Sequence, residues 1–322
     1  MIRRPPRSTQ GVSSAASDVY KRQGGQGISV IAGPAVVESR AQILDCAALV
    51  AESGAVMLRS TTTALQNSSK ADQSLALKQL NFLGEAGDRY SLPVVWQTTS
   101  IKHIDAVTEL ADVIQITADD LRDLSFLQAI SSTGKPVILN RGAEDSVHNL
   151  LMSAEHLLSH GAYAVIICEQ GIETLETTSH NFLDLSVVPS VQKLSHVPIV
   201  VNPSLATDDC SNVPPMALAA LAAGAHGLII EVQPDRDHAE QDRLRALHPT
   251  QFKKLMSNIN ALADVLSKEV TRLPLRTAAT VTELLPVTAG EIPKVAFQGE
   301  MGANSEIAIR RFLAPAKPVP CR

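Results

Sequence analysis

Charged side chains stand at the ends of several short apolar runs in this 322-residue chain. Arg59 and Arg141 occupy two such positions, and Glu169 and Glu231 occupy two others. Arginine presents a planar fork of donors that suits phosphate and carboxylate groups. Carboxylates can hold a divalent cation or transfer protons. If the runs are neighbouring strands, these four side chains can meet at one edge and form a site for an anionic ligand.

Eight apolar runs rich in Val and Ile carry these residues, and segments with helical spacing lie between them. Nearly continuous apolar character is typical of parallel strands that are buried on both faces. Glycines follow four of the helical segments, where a left-handed residue often ends a helix. These glycines are Gly54, Gly134, Gly161 and Gly224. The predicted strands are 28–34, 55–60, 93–97, 112–116, 136–140, 164–169, 198–203 and 227–232.

Eight strand–helix units in succession predict an α/β fold, specifically a closed (β/α)8 TIM barrel. An open doubly wound sheet would usually carry a GxGxxG phosphate turn after its first strand, and the chain has none. In a TIM barrel the active site lies at the carboxyl ends of the strands. The charged positions named above are at those ends.

The two ends of the chain differ from the middle in composition. Residues 1–23 are basic, Ser-rich and aperiodic, and we interpret them as a disordered leader or an adaptor-like, non-native segment. We expect the barrel to cover residues 24–270 and a linker to cover 271–293. Residues 294–322 start a new apolar strand, KVAFQG, and we interpret them as the truncated start of a further domain.

Composition argues against several classes of partner. The net charge is −5, whereas broad nucleic-acid binding favours a basic face. The apolar stretch 213–232 contains two prolines and two glycines, which favours a helix followed by a buried strand over a membrane span. Four widely spaced cysteines without a CxxC pair indicate a reduced, cytoplasmic protein. One of them, Cys168, lies inside a predicted strand and is expected to be a core thiol.

Several segments together resemble type I 3-deoxy-D-arabino-heptulosonate 7-phosphate (DAHP) synthases. The resemblance runs through VIAGPAVVESRAQIL, GAVMLRS, ADVIQI, GKPVILNRG, VIICEQGIETLETT, VPIVVNPSLAT and AAGAHGLIIEVQPD. It implies a metal-dependent condensation of phosphoenolpyruvate with erythrose 4-phosphate, at the entry to aromatic amino-acid biosynthesis. The segment KVAFQGEMGANSEIAIRRF resembles the start of prephenate dehydratase, which implies a fusion or complex with that enzyme.

The metal site that this resemblance implies uses Cys, His, Glu and Asp side chains. The chain has Ala35 at the Cys position and Leu205 at the His position, and it keeps Glu231 and Asp242 at the other two. Methyl and isobutyl groups have no lone pair to donate. The two carboxylates could hold Mg²⁺ or Ca²⁺ weakly, but they do not form a mixed nitrogen, sulfur and oxygen site for a transition metal.

The implied phosphate contacts are also reduced. Arg59, Arg141 and Glu169 match family positions, and either arginine could instead pair with a neighbouring acid such as Glu169 or Asp119. Positions where the resemblance implies a lost cation are Ala64, Gln66, Asp119, Asn140 and Gln170. Each charged contact to phosphate is worth about 1.5–3 kcal/mol, so the combined loss is large.

Two functions remain open at this point. The first is a degenerate DAHP synthase-like barrel without the parent activity, which acts as a regulatory or scaffold domain in aromatic amino-acid biosynthesis. The second is an active synthase, or a diverged aldolase that condenses phosphoenolpyruvate or a related keto acid with a sugar aldehyde. We expect no cofactor in the first case and a divalent metal (Mn²⁺ or Mg²⁺) in the second. We also expect a homo-oligomer.

Overall fold

The structure is a computed structural model that describes most of the barrel region. It covers residues 27–61, 70–98, 104–142, 145–173, 181–207, 209–234, 245–273, 294–298 and 317–321. The described residues fall into two compact units, one up to Leu273 and one from Lys294 onwards, and each is treated by itself. Residues 1–23 and most of the expected linker at 271–293 lie outside the described ranges.

Parallel strands in the first unit close into a barrel, which confirms the predicted (β/α)8 fold. Within the described residues, the barrel strands are β1 (Gly27–Gly33), β2 (Met57–Ser60), β3 (Val94–Gln97), β4 (Val113–Thr117), β5 (Val137–Asn140), β6 (Val165–Glu169), β7 (Ile199–Val201) and β8 (Gly227–Glu231). Each strand pairs in parallel with the next, and β8 pairs with β1 to close the ring. Every predicted apolar run overlaps one of these strands.

Helices connect the strands and cover the outside of the barrel. They are α1 (Arg40–Glu52), α2 (Lys70–Tyr90), α3 (Ile104–Leu110), α4 (Leu124–Ser132), α5 (Val147–Ser159), α6 (Val187–Leu194), α7 (Val213–Ala222) and α8 (Pro249–Val265). The hydroxyl of Ser39 accepts the N–H of Gln42 and caps α1. The four glycines predicted to end helices all have positive φ, between +65° and +109°.

The strands are buried on both faces because side chains alternate between the barrel lumen and the layer under the helices. One apolar cluster fills the lumen and consists of Ile31, Val56, Met57, Val95, Val113, Ile138, Ile166, Cys168, Val200 and Ile229. A larger cluster joins the outward-facing strand residues to the helices. Cys168 is completely buried, as predicted, and burial raises the pKa of its thiol.

Shorter elements complete the described structure. Ile172–Glu173 and Asn181–Phe182 form an antiparallel pair after β6, and Glu269–Val270 pairs in parallel with the start of β1. In the second unit, Lys294–Gln298 pairs in parallel with Lys317–Cys321, so the predicted KVAFQG strand is present. The region 213–232 is a helix followed by a buried strand, as predicted. Among the described residues, no helix is long and apolar enough to span a membrane.

Candidate functional site

A layer of polar side chains lies directly above the apolar filling of the lumen. These polar residues come two positions after an apolar lumen residue, so they face the lumen one layer nearer the carboxyl ends of the strands. Five of the six are within strands, and Asn202 follows β7. We call this set the polar layer, and it consists of Arg59, Gln97, Gln115, Asn140, Asn202 and Glu231.

Arg59 is the centre of the polar layer. Its guanidinium donates from Nε to Oε1 of Gln115 at 3.1 Å and from Nη2 to Oε1 of Gln97 at 2.6 Å. Nη1 lies 3.3 Å from Oε1 of Glu231. Only 2% of the Arg59 residue is exposed. Each nitrogen of the guanidinium therefore already has a partner inside the protein.

Backbone packing fixes both members of the Arg59–Glu231 pair. A Cβ on Gly33 would lie 2.1 Å from the carbonyl oxygen of Arg59, so glycine is required where β1 approaches β2. Gly33 is the register partner of Glu231 on β8. The N–H of Glu231 is donated to the hydroxyl of Ser204 at 3.0 Å. These contacts place the carboxylate beside the guanidinium, on the two strands that flank β1.

Arg141 forms a second buried cluster. Nη1 of Arg141 lies 3.0 Å from Oε2 of Glu169 and 3.4 Å from Oδ2 of Asp184, and its Nε donates to the carbonyl oxygen of Asp145 at 2.8 Å. Arg141 and Glu169 each come one residue after a lumen-facing position. They therefore lie on the other side of the barrel wall from the polar layer.

Glu169 is completely buried, and its environment changes its acidity. Burial is the largest effect and raises the pKa of the carboxyl above its ordinary value. The hydrogen bond and charge of Arg141 oppose this rise, as does the N–H of Gly171, which donates to Oε1 at 2.9 Å. Glu169 thus depends on Arg141 for compensation of its charge.

Three of the four positions of the implied metal site meet near the ends of β1 and β8. Ala35 lies two residues after Gly33, the partner of Glu231, and Leu205 follows Ser204, which contacts the Glu231 N–H. Asp242 lies outside the described residues. The described positions thus supply a methyl group, an isobutyl group and a carboxylate that is already paired with an arginine.

This donor set does not fit the mixed nitrogen, sulfur and oxygen metal site that the resemblance implies. Over the described part of the chain, no group of three or more His, Cys, Asp or Glu side chains could hold a metal ion.

The positions of the implied phosphate site are only partly described. Ala64 and Gln66 lie outside the described residues, and only the backbone of Asp119, at the start of a 3₁₀ turn, is described. Asn140 belongs to the polar layer, and its Oδ1 accepts from Nε2 of Gln115 at 2.8 Å. Gln170 follows β6, and its Nε2 lies 3.4 Å from the carbonyl oxygen of Arg141.

Sequence reasoning missed two members of these clusters. Gln115 lies inside β4, two residues before the strand end, and the alternation of the run DVIQI could have indicated that it faces the lumen. Asp184 lies 43 positions after Arg141 in an irregular segment, and the sequence carries no local signal for their contact.

The fold and the sequence are similar to those of known proteins. The model of the DAHP synthetase I family matches residues 13–267. The phospho-2-dehydro-3-deoxyheptonate aldolase of Thermotoga maritima is 37% identical over 75% of this chain and 72% of its own length. The 2-dehydro-3-deoxyphosphooctonate aldolase of Nitrobacter hamburgensis is 28% identical over 75% of this chain and 89% of its own.

A solved structure shows the same relationship. A truncated form of the 3-deoxy-D-arabino-heptulosonate 7-phosphate synthase from Thermotoga maritima superimposes with a TM-score of 0.70 at 36% identity. That alignment covers 76% of this chain and 90% of the other. Together with the family match over most of the barrel, these similarities show that the chain belongs to the DAHP synthetase I family.

Proposed function

We propose that this barrel has lost the parent condensation and acts as a regulatory or scaffold domain in aromatic amino-acid biosynthesis. The observation that carries the proposal is the pairing of both buried arginines. Arg59 is bound by two carboxamides and Glu231, and Arg141 is bound by Glu169, Asp184 and a carbonyl oxygen. Each charge is therefore compensated by the protein itself.

Binding a phosphate at either arginine would require breaking these contacts. A hydrogen bond to a charged group is worth about 1.5–3 kcal/mol. The release of Glu231 or Glu169 would also leave a buried carboxylate uncompensated, which is a further cost. A micromolar complex needs about 8 kcal/mol in total. The exchange of internal partners for an external anion thus leaves little net binding energy.

The proposed function also implies partners and a location for the barrel. As the resemblance of 294–312 to prephenate dehydratase suggests, the barrel would work fused to, or in complex with, an enzyme of the same pathway in the cytoplasm. It would assemble as a homo-oligomer, which light scattering on the purified chain can measure.

The competing function is an active synthase or a diverged aldolase. The 37% identity to the Thermotoga maritima aldolase favours it, since that similarity covers 75% of this chain. The Arg59–Glu231 pair at the carboxyl ends of β2 and β8 could then bind a keto acid after a rearrangement of the polar layer.

A condensation assay separates the two functions. The full chain is incubated with phosphoenolpyruvate, erythrose 4-phosphate and Mn²⁺, and DAHP is measured by mass spectrometry. The Thermotoga maritima relative is the positive control. We expect no product above the protein-free blank, and enzyme-dependent product would establish the competing function.

A second measurement tests the metal part of the proposal. Free Mn²⁺ is measured by electron paramagnetic resonance for the native chain and for the double variant Ala35→Cys/Leu205→His. Because the variant restores a thiolate and an imidazole beside Glu231, we expect its Mn²⁺ affinity to exceed the native value at least about tenfold. Equal affinities would show that these positions do not form the implied site.

A further inference from the structure

Three buried carboxamide atoms have no hydrogen-bond partner among the described residues. They are Nδ2 of Asn140, Nδ2 of Asn202 and Oε1 of Gln170. Asn140 ends β5, Gln170 follows β6 and Asn202 follows β7, so the three carboxamides stand on three adjacent strands. Asn140 and Asn202 are completely buried.

The orientation of the Asn140 amide follows from a chain of donors. Arginine can only donate, so the Gln115 oxygen must face Nε of Arg59 at 3.1 Å. The Gln115 nitrogen then donates to Oδ1 of Asn140 at 2.8 Å. The group left without a partner on Asn140 is therefore its NH2, which is a donor.

Backbone contacts fix the other two amides in the same way. The N–H of Leu205 is donated to Oδ1 of Asn202 at 3.3 Å, so the unpartnered group of Asn202 is again its NH2. Nε2 of Gln170 faces the carbonyl oxygen of Arg141 at 3.4 Å, so the unpartnered atom of Gln170 is an acceptor. The three groups together offer two donors and one acceptor.

Strand register places these groups around one part of the lumen. Asn140 is level with Cys168 on β6, and Cys168 is level with Val200 on β7. Gln170 and Asn202 come two residues after Cys168 and Val200, so they face the lumen one side-chain step above Asn140, because the strands that carry the polar layer are staggered. Asn140 thus lies level with the buried thiol and the other two amides lie above it, so the three border the lumen space at the end of the barrel where members of this fold bind ligands.

The charge of this space determines what it can accept. Arg59 contacts Asn140 through Gln115, and the carbonyl oxygen of Arg141 contacts Gln170. Both guanidinium groups are paired with internal carboxylates, so neither offers an uncompensated charge to an anion there. Two of the three amides, Asn140 and Gln170, also stand where the resemblance implies a cation. A hydroxyl group can accept from an NH2 and donate to a carbonyl oxygen, so hydroxyl groups match all three amides.

We propose that Asn140, Gln170 and Asn202 form a binding site for an uncharged polyhydroxy molecule, a small sugar or sugar alcohol without phosphate. The proposal rests on the proposed function, because it requires both arginines to stay paired with their internal partners. A buried amide without a hydrogen-bond partner carries a desolvation cost. A ligand hydroxyl group offsets this cost by forming the missing hydrogen bond, whereas an apolar ligand does not, so the site should favour hydroxyl groups.

Calorimetric titration of the full chain tests the proposal with defined probes. The neutral probes are D-arabinose, D-ribose and erythritol, and the charged probes are arabinose 5-phosphate, ribose 5-phosphate and erythritol 4-phosphate. We expect at least one neutral probe to bind with a Kd below about 1 mM, and its phosphorylated counterpart to bind at least about tenfold more weakly. Absence of binding by all neutral probes, or preference for the phosphates, overturns the proposal.

Two variants locate the site. Gln170→Met removes the acceptor at a half-buried position, and Asn202→Asp removes one donor while keeping the Oδ1 that accepts from Leu205. Each should weaken the neutral probe at least about tenfold. The control is Asn149→Asp, at an exposed position in α5, and it should leave the affinity unchanged. Thermal unfolding of each variant verifies that it is folded.

The outcomes also separate this inference from the proposed function. DAHP formation in the condensation assay would disprove the proposed function, whatever the sugar titrations show. A chain that makes no DAHP and binds no neutral probe would overturn the sugar site alone. Unchanged binding in a folded Gln170→Met variant would place any observed sugar elsewhere and overturn the proposed site.

Discussion

The two buried arginines of this barrel have different surroundings. Arg59 lies in the lumen, where two neutral carboxamides and one carboxylate share its donors. Arg141 lies on the other side of the barrel wall, between two carboxylates and a carbonyl oxygen. One arginine orients a layer of amides, and the other compensates buried negative charge.

The two arginines should therefore differ in their main role. Arg59 should position other side chains of the lumen, and Arg141 should stabilise the fold. Through Gln115, Arg59 fixes the orientation of Asn140, so its loss should disturb the candidate ligand site. Arg141 joins Glu169 at the end of β6 to the segments that precede α5 and α6. Its loss should mainly destabilise the fold. Substitutions at the two positions can confirm or break this distinction.

The largest effect is expected for Arg141→Met. The variant leaves Glu169, which is completely buried, without its cation, and removal of one partner of a buried ion pair typically costs about 3–5 kcal/mol. Urea unfolding followed by circular dichroism measures the change in free energy of unfolding. A loss below that of Arg59→Met would contradict the assigned roles.

Arg59→Met also leaves a buried carboxylate, Glu231, without its cation, but it should cost less, about 3 kcal/mol, because Arg59 compensates one carboxylate and Arg141 compensates two. The same variant should weaken the neutral probe that the native chain binds, since Gln115 would be free to reorient and Asn140 would lose its fixed geometry. Urea unfolding and calorimetric titration measure the two changes. Unaltered sugar binding in a folded variant would argue against the positioning role.

The pH dependence of Arg141→Met provides a sharper test. Burial raises the pKa of Glu169, so the folded state holds its proton more strongly than the unfolded state does. The stability that this group contributes is present at low pH and is lost as the pH rises through the folded-state pKa. Without Arg141 that pKa rises further, so the cost of the variant should be larger at pH 8 than at pH 5. The double variant Arg141→Met/Glu169→Gln should remove this extra pH dependence.

The smallest effect is expected at the exposed pair Arg40–Glu85, which matches the buried pairs in residue types. Both side chains are largely exposed, and surface ion pairs contribute little because water screens them. Arg40→Met should leave the urea midpoint within experimental error. A loss as large as that of Arg59→Met would show that burial is not what separates these pairs.

The sequence predicts the barrel well because local patterns determine it. Continuous apolar runs mark the eight strands, and Gly54, Gly134, Gly161 and Gly224 all adopt the left-handed conformation expected after a helix. Close backbone contacts such as that between Gly33 and Arg59 are not visible in the pattern, because they depend on how the closed sheet is staggered.

The site is only partly predictable from the sequence. The sequence leaves open whether Arg141 contacts a phosphate or pairs with a neighbouring acid, and the structure shows its pairing with Glu169. Arg59 and Gln115 are 56 positions apart, and their contact depends on which residues face each other inside the lumen. Asp184 joins Arg141 from an irregular segment, where no periodicity indicates a direction.

The central claim is that the internal partners of Arg59 and Arg141 leave no charge for an external anion. Calorimetric titration of the full chain with phosphoenolpyruvate tests it most directly, with the Thermotoga maritima relative as the positive control. We predict no binding of phosphoenolpyruvate to this chain at concentrations up to about 1 mM. Submillimolar binding that disappears in a folded Arg59→Met variant would contradict the account.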